Sequence, residues 1–281
     1  MTRLATLPRL DCPDDLRALT ELTAARIGLA RSGSSISTSE LLAFDLDHAR
    51  ARDAVHLPFD VAAIEQALRV RGLDSIALQS AALDRACYLQ RPDLGRRLSS
   101  AGRAALQTHR QSQASPRSAT DAADPDHASS RTVAPDVAVI VADGLSALAI
   151  HDNAVPFLDA WLPLARSQGW RLATTVVASQ ARVALADEIG AALHARLSVI
   201  LIGERPGLSA ADSMGIYLTY QPRPGRNDAE RNCISNIRSG GLAYAEAAQL
   251  LTGLIAGAFR QGLSGVGLKD DRTLINPRAL S

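Results

Sequence analysis

Apolar residues recur at helical spacing through the first hundred or so positions. Leu16, Leu19, Thr23 and Ile27 share one face. Asp11 is placed to cap that helix, with Pro13 just inside it and Asp14 and Asp15 in the first turn, where carboxylates meet the positive end of the helix dipole. Gly33 lies beyond its end. A second helix is predicted from near Ser39 toward Arg52. A third is capped by Asp60, lined by Ile64, Ala67 and Leu68, and stopped by Gly72. A fourth opens at Pro92 and runs through Leu94, Leu98 and Leu106. Residues 1–107 are therefore expected to form a helical N-terminal region.

The pattern then fails. Residues 108–135 are rich in Ser, Ala, Gln, Thr, Asp and Pro and nearly without large apolar residues. Such a segment buries too little surface to offset its ordering entropy, so a flexible linker is expected. Beyond it the period changes. Val137 to Ala142 and Leu197 to Ile202 are continuous apolar runs, and Leu172 to Ala178 and Ile216 to Tyr220 are further strand candidates. Runs apolar on both faces suit parallel strands covered on both sides. Helical spacing returns at Leu185, Ile189, Ala192 and Leu193, and again at Ala247, Leu250, Leu251 and Leu254, just after Gly240-Gly241. Alternating strands and helices over residues 136–281 predict an α/β domain with a Rossmann-like, doubly wound, mostly parallel sheet.

Composition narrows the classes. Only 4% of the 281 residues are aromatic against 47% hydrophobic, so Ala, Leu, Val and Ile must fill the core. The net charge of +1 supplies no long-range attraction to nucleic acid or to an anionic membrane. Cys12, Cys87 and Cys233 form neither a disulfide framework nor a zinc pattern, which points to a reducing cytosol. No apolar run is long enough to span a bilayer, and the first residues lack the apolar core of a secretory signal.

The familiar cofactor fingerprints are missing: no G-x-G-x-x-G, no P-loop, no G-x-S-x-G and no H-E-x-x-H. The six histidines show no metal spacing. What remains are loops at the expected strand ends, where open α/β sheets bind ligands. Asp143-Gly144-Leu145-Ser146 follows the first long strand. Gly144 would let backbone approach a ligand, and Ser146 can cap the next helix; an ordinary strand-to-helix turn explains the segment equally well. Gly203-Glu204-Arg205-Pro206-Gly207 reads as a stiff loop holding a carboxylate beside a guanidinium. An exposed ion pair is worth only about 0–1 kcal/mol, so this pairing suggests hydrogen bonds to a ligand, with a rigid turn as the plainer alternative. Arg231 to Ile237, then Arg238-Ser239-Gly240-Gly241, is dense in donors and acceptors and leads toward a helix N-terminus whose free N–H groups suit a polar oxygen. Cys233 has no partner base nearby in sequence and reads as a small apolar residue as readily as a ligand contact.

Four segments in order carry a resemblance. Arg91-Pro92-Asp93-Leu94-Gly95-Arg96-Arg97-Leu98, Asp143-Gly144-Leu145-Ser146, Gly203-Glu204-Arg205-Pro206-Gly207-Leu208 and Cys233-Ile234-Ser235-Asn236-Ile237 resemble the light (small) subunit of ethanolamine ammonia-lyase. The match runs from about Ala18 to Gly267, with the linker as a gap. The resemblance implies a helical region and a Rossmann-like domain that bind adenosylcobalamin against a large TIM-barrel subunit, within a hetero-oligomer. The implied reaction takes ethanolamine to acetaldehyde and ammonia. Cobalt–carbon homolysis supplies the radical, and substrate contacts lie mainly in the large subunit, so this chain is expected to be inactive alone. The implied cofactor contacts are Val183, Glu204 and Cys233, with Asp143, Gly144, Ser146, Arg205, Ser235 and Asn236 as further positions. An Asp-x-His-x-x-Gly cobalt-ligand motif is absent from the sequence, so the cofactor's own base should stay on cobalt. The resemblance also implies a cytoplasmic protein, enclosed in some relatives in a bacterial microcompartment. Little precedes Asp11 here, which speaks against enclosure. The polar segment 108–135 and the tail after Gly267 are longer than the resemblance leads one to expect. The alternative is a stand-alone corrinoid- or nucleotide-binding Rossmann module without lyase activity.

Overall fold

The computed structural model of the chain describes residues 19, 23, 25–29, 31–114 and 134–269. Most of the helix expected after Asp11, positions 115–133 of the expected linker, and the tail from 270 on lie outside them.

The N-terminal part begins with a small hairpin, β1 (Arg31–Ser32) and β2 (Ser35–Ile36), turned at Gly33. Helix α1 (Thr38–His56) follows, with the Ser37 hydroxyl accepting from the Glu40 N–H. Helix α2 (Val61–Val70) is capped by Asp60, whose carboxylate accepts from the Ala63 N–H at 2.9 Å, as the sequence pattern predicts. The early turns of α1 leave Leu41, Leu42, Phe44 and Leu46 exposed; the Phe44 ring meets the Arg26 guanidinium and stacks with the His48 ring.

A six-stranded sheet forms the centre, in the order β3-β5-β4-β6-β7-β8. Its strands are β3 (Ser75–Gln79), β4 (Val137–Ala142), β5 (Thr175–Ser179), β6 (Leu197–Gly203), β7 (Met214–Tyr220) and β8 (Arg231–Ile237). The first four strands in that order are parallel to one another. β7 and β8 add as an antiparallel meander. The remaining helices are α3 (Arg85–Gln90), α4 (Ser100–Ala114), α5 (Ala147–Ser167), α6 (Leu185–Ala192) and α7 (Tyr244–Gln261).

Every residue of β4 and β6 is buried, which explains why both are apolar throughout except at Ser198. Alternate side chains serve two cores. Val137, Val139 and Val141 pack with Phe157 and Trp161 of α5 and Leu251 of α7; Ala138, Ile140 and Ala142 pack with Leu185 and Ile189 of α6 and Leu106 of α4. Each fully buried large aliphatic side chain contributes about 1.5–3 kcal/mol, so these two layers dominate the favourable side of folding.

Four sequence expectations change. The N-terminal part is not purely helical: Ser75–Gln79 pairs in parallel with Thr175–Ser179 and extends the sheet. It is an edge strand with only Leu78 deeply buried, so it lacks the apolar run of a central strand. The helix expected from Pro92 begins only at Ser100. Before it, Leu94–Arg96 makes a single 3-10 turn and Leu98 bridges to Ser80. That helix then continues to Ala114, so Thr108 to Ala114 is helical rather than linker. Finally, Arg231–Ile237 is a strand, not a loop. It lies at the other edge of the sheet, and only Arg231, Ile234 and Ile237 are buried.

β8 is fastened by charge. The Arg231 guanidinium, on a side chain only 2% exposed, pairs with the equally buried Asp187 of α6. It also donates to Asp228 Oδ1 at 2.7 Å and to the Arg226 carbonyl at 2.9 Å. Burial raises the Asp187 pKa, and Arg231 opposes that shift. Removing one member of such a pair strands the other charge in the interior. Asp187→Ala is therefore expected to lower stability by about 3–5 kcal/mol. Urea unfolding measures it, and a loss under about 1 kcal/mol would show that Asp228 and water suffice for Arg231.

Candidate functional site

β4, β5 and β6 end at the same edge of the sheet and deliver three loops there. Together these loops wall a cavity of about 330 Å³, lined by Gly144, Leu145, Arg182, Val183, Gly203, Glu204 and Arg205, with Tyr88 and Tyr217 also in its wall. A larger hollow of about 890 Å³ lies at the opposite edge, beside Asp74, Arg171 and Thr174. It is the weaker candidate, because Arg171 is already held by Asp136 at 3.1 Å and ligands of open α/β sheets sit at the carboxyl ends of strands.

The cavity floor depends on two glycines. The Leu145 N–H donates to the Gly203 carbonyl at 2.9 Å, which draws the β4 and β6 loops together. A Cβ on Gly144 would overlap the Gly203 carbonyl oxygen, and a Cβ on Gly203 would overlap the Ser146 carbonyl oxygen. Gly144 also has a φ of +56°, a region costly for other residues. Gly207 meets nothing nearer than 3.9 Å, so the stiffness expected of its loop resides at Gly203.

Asp143 lies beneath this floor, 2% exposed. Its carboxylate accepts from the Gln180 N–H at 3.0 Å and the Ala181 N–H at 3.1 Å, and lies 3.5 Å from Arg85 Nη1. Burial pushes its pKa up to about 6, against the pull of those N–H groups and of Arg85. Asp143 thus positions the β5 loop and lies under the cavity rather than in its wall. Ser146 is likewise enclosed: its hydroxyl accepts from the Ala149 N–H as the α5 cap and donates to the Ala211 carbonyl at 2.8 Å.

Beside the floor, the Tyr88 ring lies between two guanidiniums, Arg85 at 4.8 Å and Arg182 at 4.3 Å from its centre. Its hydroxyl donates to the Ala181 carbonyl at 3.1 Å. Gly95 backs this stack; its own Cβ would come within 2.8 Å of Arg182 Cγ. Arg85 Nη2 and Arg182 Nε are both buried without a hydrogen-bond partner among the described residues. Buried N–H groups of this kind are uncommon and call for an acceptor.

Glu204 is shaped by a bulge. Ser235 and Asn236 together oppose Gly215 where the β7–β8 register slips, and Asn236 takes a φ of 60°. The Asn236 N–H thereby reaches Glu204 Oε2 at 3.3 Å, and the Ser213 hydroxyl donates to the same oxygen. Gly215 leaves the space: a Cβ there would stand 2.7 Å from Glu204 Oε1. Glu204 Oε1 has no hydrogen-bond partner among the described residues. Cys233 is opposite Tyr217 in the ladder. The residue as a whole is exposed, but the sulfur is partly desolvated, which with the Glu204 charge pushes its thiol pKa up against the Tyr217 hydroxyl; burial pushes the Tyr217 phenol well above its usual range.

The structure therefore brings Gly144, Val183, Glu204 and Arg205 together in one wall; Cys233 pairs with Tyr217 across the strands but is exposed and outside that wall. Arg205 is exposed and does not pair with Glu204. Asn236 acts through its backbone, and its side-chain oxygen accepts from Arg238 Nε at 3.1 Å. Ser235 is exposed on the bulge, and the start of α7 at Tyr244 is outside the cavity wall. Tyr88, Arg85, Arg182 and Tyr217 are additions that sequence reasoning missed. Arg182 had one available signal, its place between the end of β5 and Val183. Among the described residues, no group of three His, Cys, Asp or Glu is placed to hold a metal ion, and no helix is long and apolar enough to cross a membrane.

A family model described as ethanolamine ammonia-lyase light chain matches residues 13–269. The chain is similar to the ethanolamine ammonia-lyase small subunit of Pseudomonas fluorescens (strain SBW25), 51% identical over 264 residues, covering 94% of this chain and 89% of that one. It is 52% identical over 255 residues to the small subunit of Azotobacter vinelandii, covering 90% and 87%. It is 50% identical over 265 residues to that of Pseudomonas aeruginosa (strain LESB58), covering 94% and 90%.

Two expectations follow from the cavity floor. Gly203→Ala should cost several kcal/mol or abolish folding, whereas Gly207→Ala should stay within about 1 kcal/mol; equal effects in thermal unfolding would contradict the assignment of the close contact. The second concerns Asp143, whose pKa near 6 in the folded chain compares with about 4 when unfolded. Between those values the folded state keeps a proton the unfolded state has released. This group's contribution to stability therefore falls as pH rises from about 4 to about 6 and is level above. Asp143→Asn should flatten that slope in unfolding curves taken across the window.

Proposed function

The chain belongs to the ethanolamine ammonia-lyase light-chain family, and from that membership we propose that it is the small subunit of an adenosylcobalamin-dependent ethanolamine ammonia-lyase, completing the cofactor site against a large TIM-barrel subunit. The observation that carries this reading is the position of Val183 and Glu204, two of the three cofactor contacts that the family resemblance implies, in one cavity wall at the strand ends; the third, Cys233, lies outside that wall. The sheet, with helices on both faces and a crevice at its carboxyl edge, supports the Rossmann-like, doubly wound description.

The residues fit the group. A corrin carries neutral carboxamide arms around an apolar ring, so its wall needs donors, acceptors and apolar surface more than net charge. Glu204 Oε1 offers an acceptor to amide N–H groups. Arg85 Nη2 offers a donor that has no hydrogen-bond partner among the described residues. Val183 and Leu145 supply apolar surface. The corrin is far larger than the cavity, so this chain forms one wall and a partner must form the other.

When bound, the cofactor supplies the cobalt–carbon bond whose homolysis starts the conversion of ethanolamine to acetaldehyde and ammonia. This chain's residues bind and orient. Burial pushes the Tyr88 and Tyr217 phenols well above their usual range, so both face the site as neutral hydrogen-bonding groups. Ser213 and the Asn236 N–H fix the Glu204 carboxylate so that its free oxygen faces one direction. In this reading the chain is inactive alone, resides in the cytoplasm, and works in a hetero-oligomer.

Co-expression with the large subunit should yield a complex that binds adenosylcobalamin and releases ammonia from ethanolamine. A well-folded complex without that activity would overturn the proposal. In the same complex, Glu204→Ala should weaken adenosylcobalamin binding by about 1–3 kcal/mol, the cost of unpaired buried polar groups. An unchanged affinity would remove Glu204 from the site.

A further inference from the structure

Past Leu145, Arg182 and Arg205, the strand-end cavity meets a second hollow of about 610 Å³ between α1 and the loop after β6. The charge of its wall has one sign. Arg52, Arg182 and Arg205 line it with His48 and His56, and no carboxylate among the described residues belongs to that wall. The whole chain has a net charge of only +1, so this is local segregation and not general basicity. Across Leu208 the sign reverses: the adjoining hollow is lined by Asp47, Asp53, Asp152 and Asp212, against Arg50 alone.

Three guanidiniums around one hollow repel each other unless an anion joins them. Arg52 and Arg205 have no ion-pair partner among the described residues. Arg182 is held in place, stacked on Tyr88 at 4.3 Å with Gly95 behind it, and its buried Nε lacks an acceptor. A planar guanidinium fixed in this way suits the paired oxygens of a phosphate group.

We propose that this basic hollow seats the phosphodiester of the cofactor's nucleotide arm. The inference rests on the cobalamin reading above and adds an orientation to it. The phosphodiester is the one anionic group on a periphery otherwise made of neutral amides. The corrin then lies along Val183 and Glu204, and the nucleotide arm passes between α1 and the loop after β6. The acidic hollow beyond Leu208 repels the same group and closes the alternative path.

The test compares adenosylcobalamin with adenosylcobinamide, which has the same corrin and upper ligand but no nucleotide arm. Both are titrated calorimetrically into the complex of this chain with its large subunit. Arg182→Gln should weaken adenosylcobalamin binding about tenfold and leave adenosylcobinamide unchanged. Arg52→Gln should weaken adenosylcobalamin about threefold with the same selectivity; Arg52 is exposed on α1, so its replacement does not disturb the core. The salt dependence of adenosylcobalamin binding should also become shallower in both variants. Equal losses for the two ligands, or no loss for adenosylcobalamin, would overturn the phosphodiester seat while leaving the cobalamin reading intact. A wild-type complex that binds neither corrinoid would overturn both.

Discussion

The β4 and β6 loops touch backbone to backbone, with Gly144 against Gly203 and no space for a methyl group on either. This contact sets the geometry of everything above it. It brings the Leu145 N–H to the Gly203 carbonyl and leaves Ser146 at the start of α5, where it caps the helix. It also fixes where the chain leaves β6, and so where Glu204 emerges. Asp143 supports the contact from below by accepting two N–H groups of the β5 loop. The three strand ends are thus tied to one another before any ligand is present. A burial cost at one carboxylate, visible in its raised pKa, accompanies that order.

The central fold was legible because its physics is local. β4 and β6 are buried on both faces, so their sequences are apolar but for Ser198 and need no other strand to be recognised. Asp60 and Ser146 sit one residue before their helices and cap them through their own side chains. The edges were not legible. Ser75–Gln79 and Arg231–Ile237 each pair with one neighbour only, and half of each faces away from the core. A strand of that kind has a mixed pattern that reads as loop or helix. Its identity is set by the partner it meets, which lies far away in sequence.

The site divides in the same way. Glycines, caps and charged loops after strands could be named from the sequence, and the resemblance pointed to Val183, Glu204 and Cys233. The Tyr88 stack could not. Tyr88 is separated from Arg182 by the whole of α4, β4, α5 and β5, and only the folded sheet brings them into contact. The bulge at Ser235-Asn236 was equally hidden. It exists because β8 carries one residue more than β7 between two shared pairs, a property of two segments taken together. Asn236 entered only as a further cofactor position implied by the resemblance; in the fold its backbone N–H donates to Glu204.

The buried pair of Arg231 and Asp187 was described as a fastening of the edge strand, but it has a second effect. Asp187 is in the first turn of α6, just after Val183, and Arg231 begins the strand that carries Cys233 and the bulge. The pair therefore ties the helix after Val183 to the strand whose bulge holds Glu204, and so fixes two positions of the cavity wall relative to each other from outside it. Walls held at a fixed separation lose little conformational freedom when something enters between them. Much of the entropic cost of ordering the site is met during folding, which leaves more of the contact energy available as affinity.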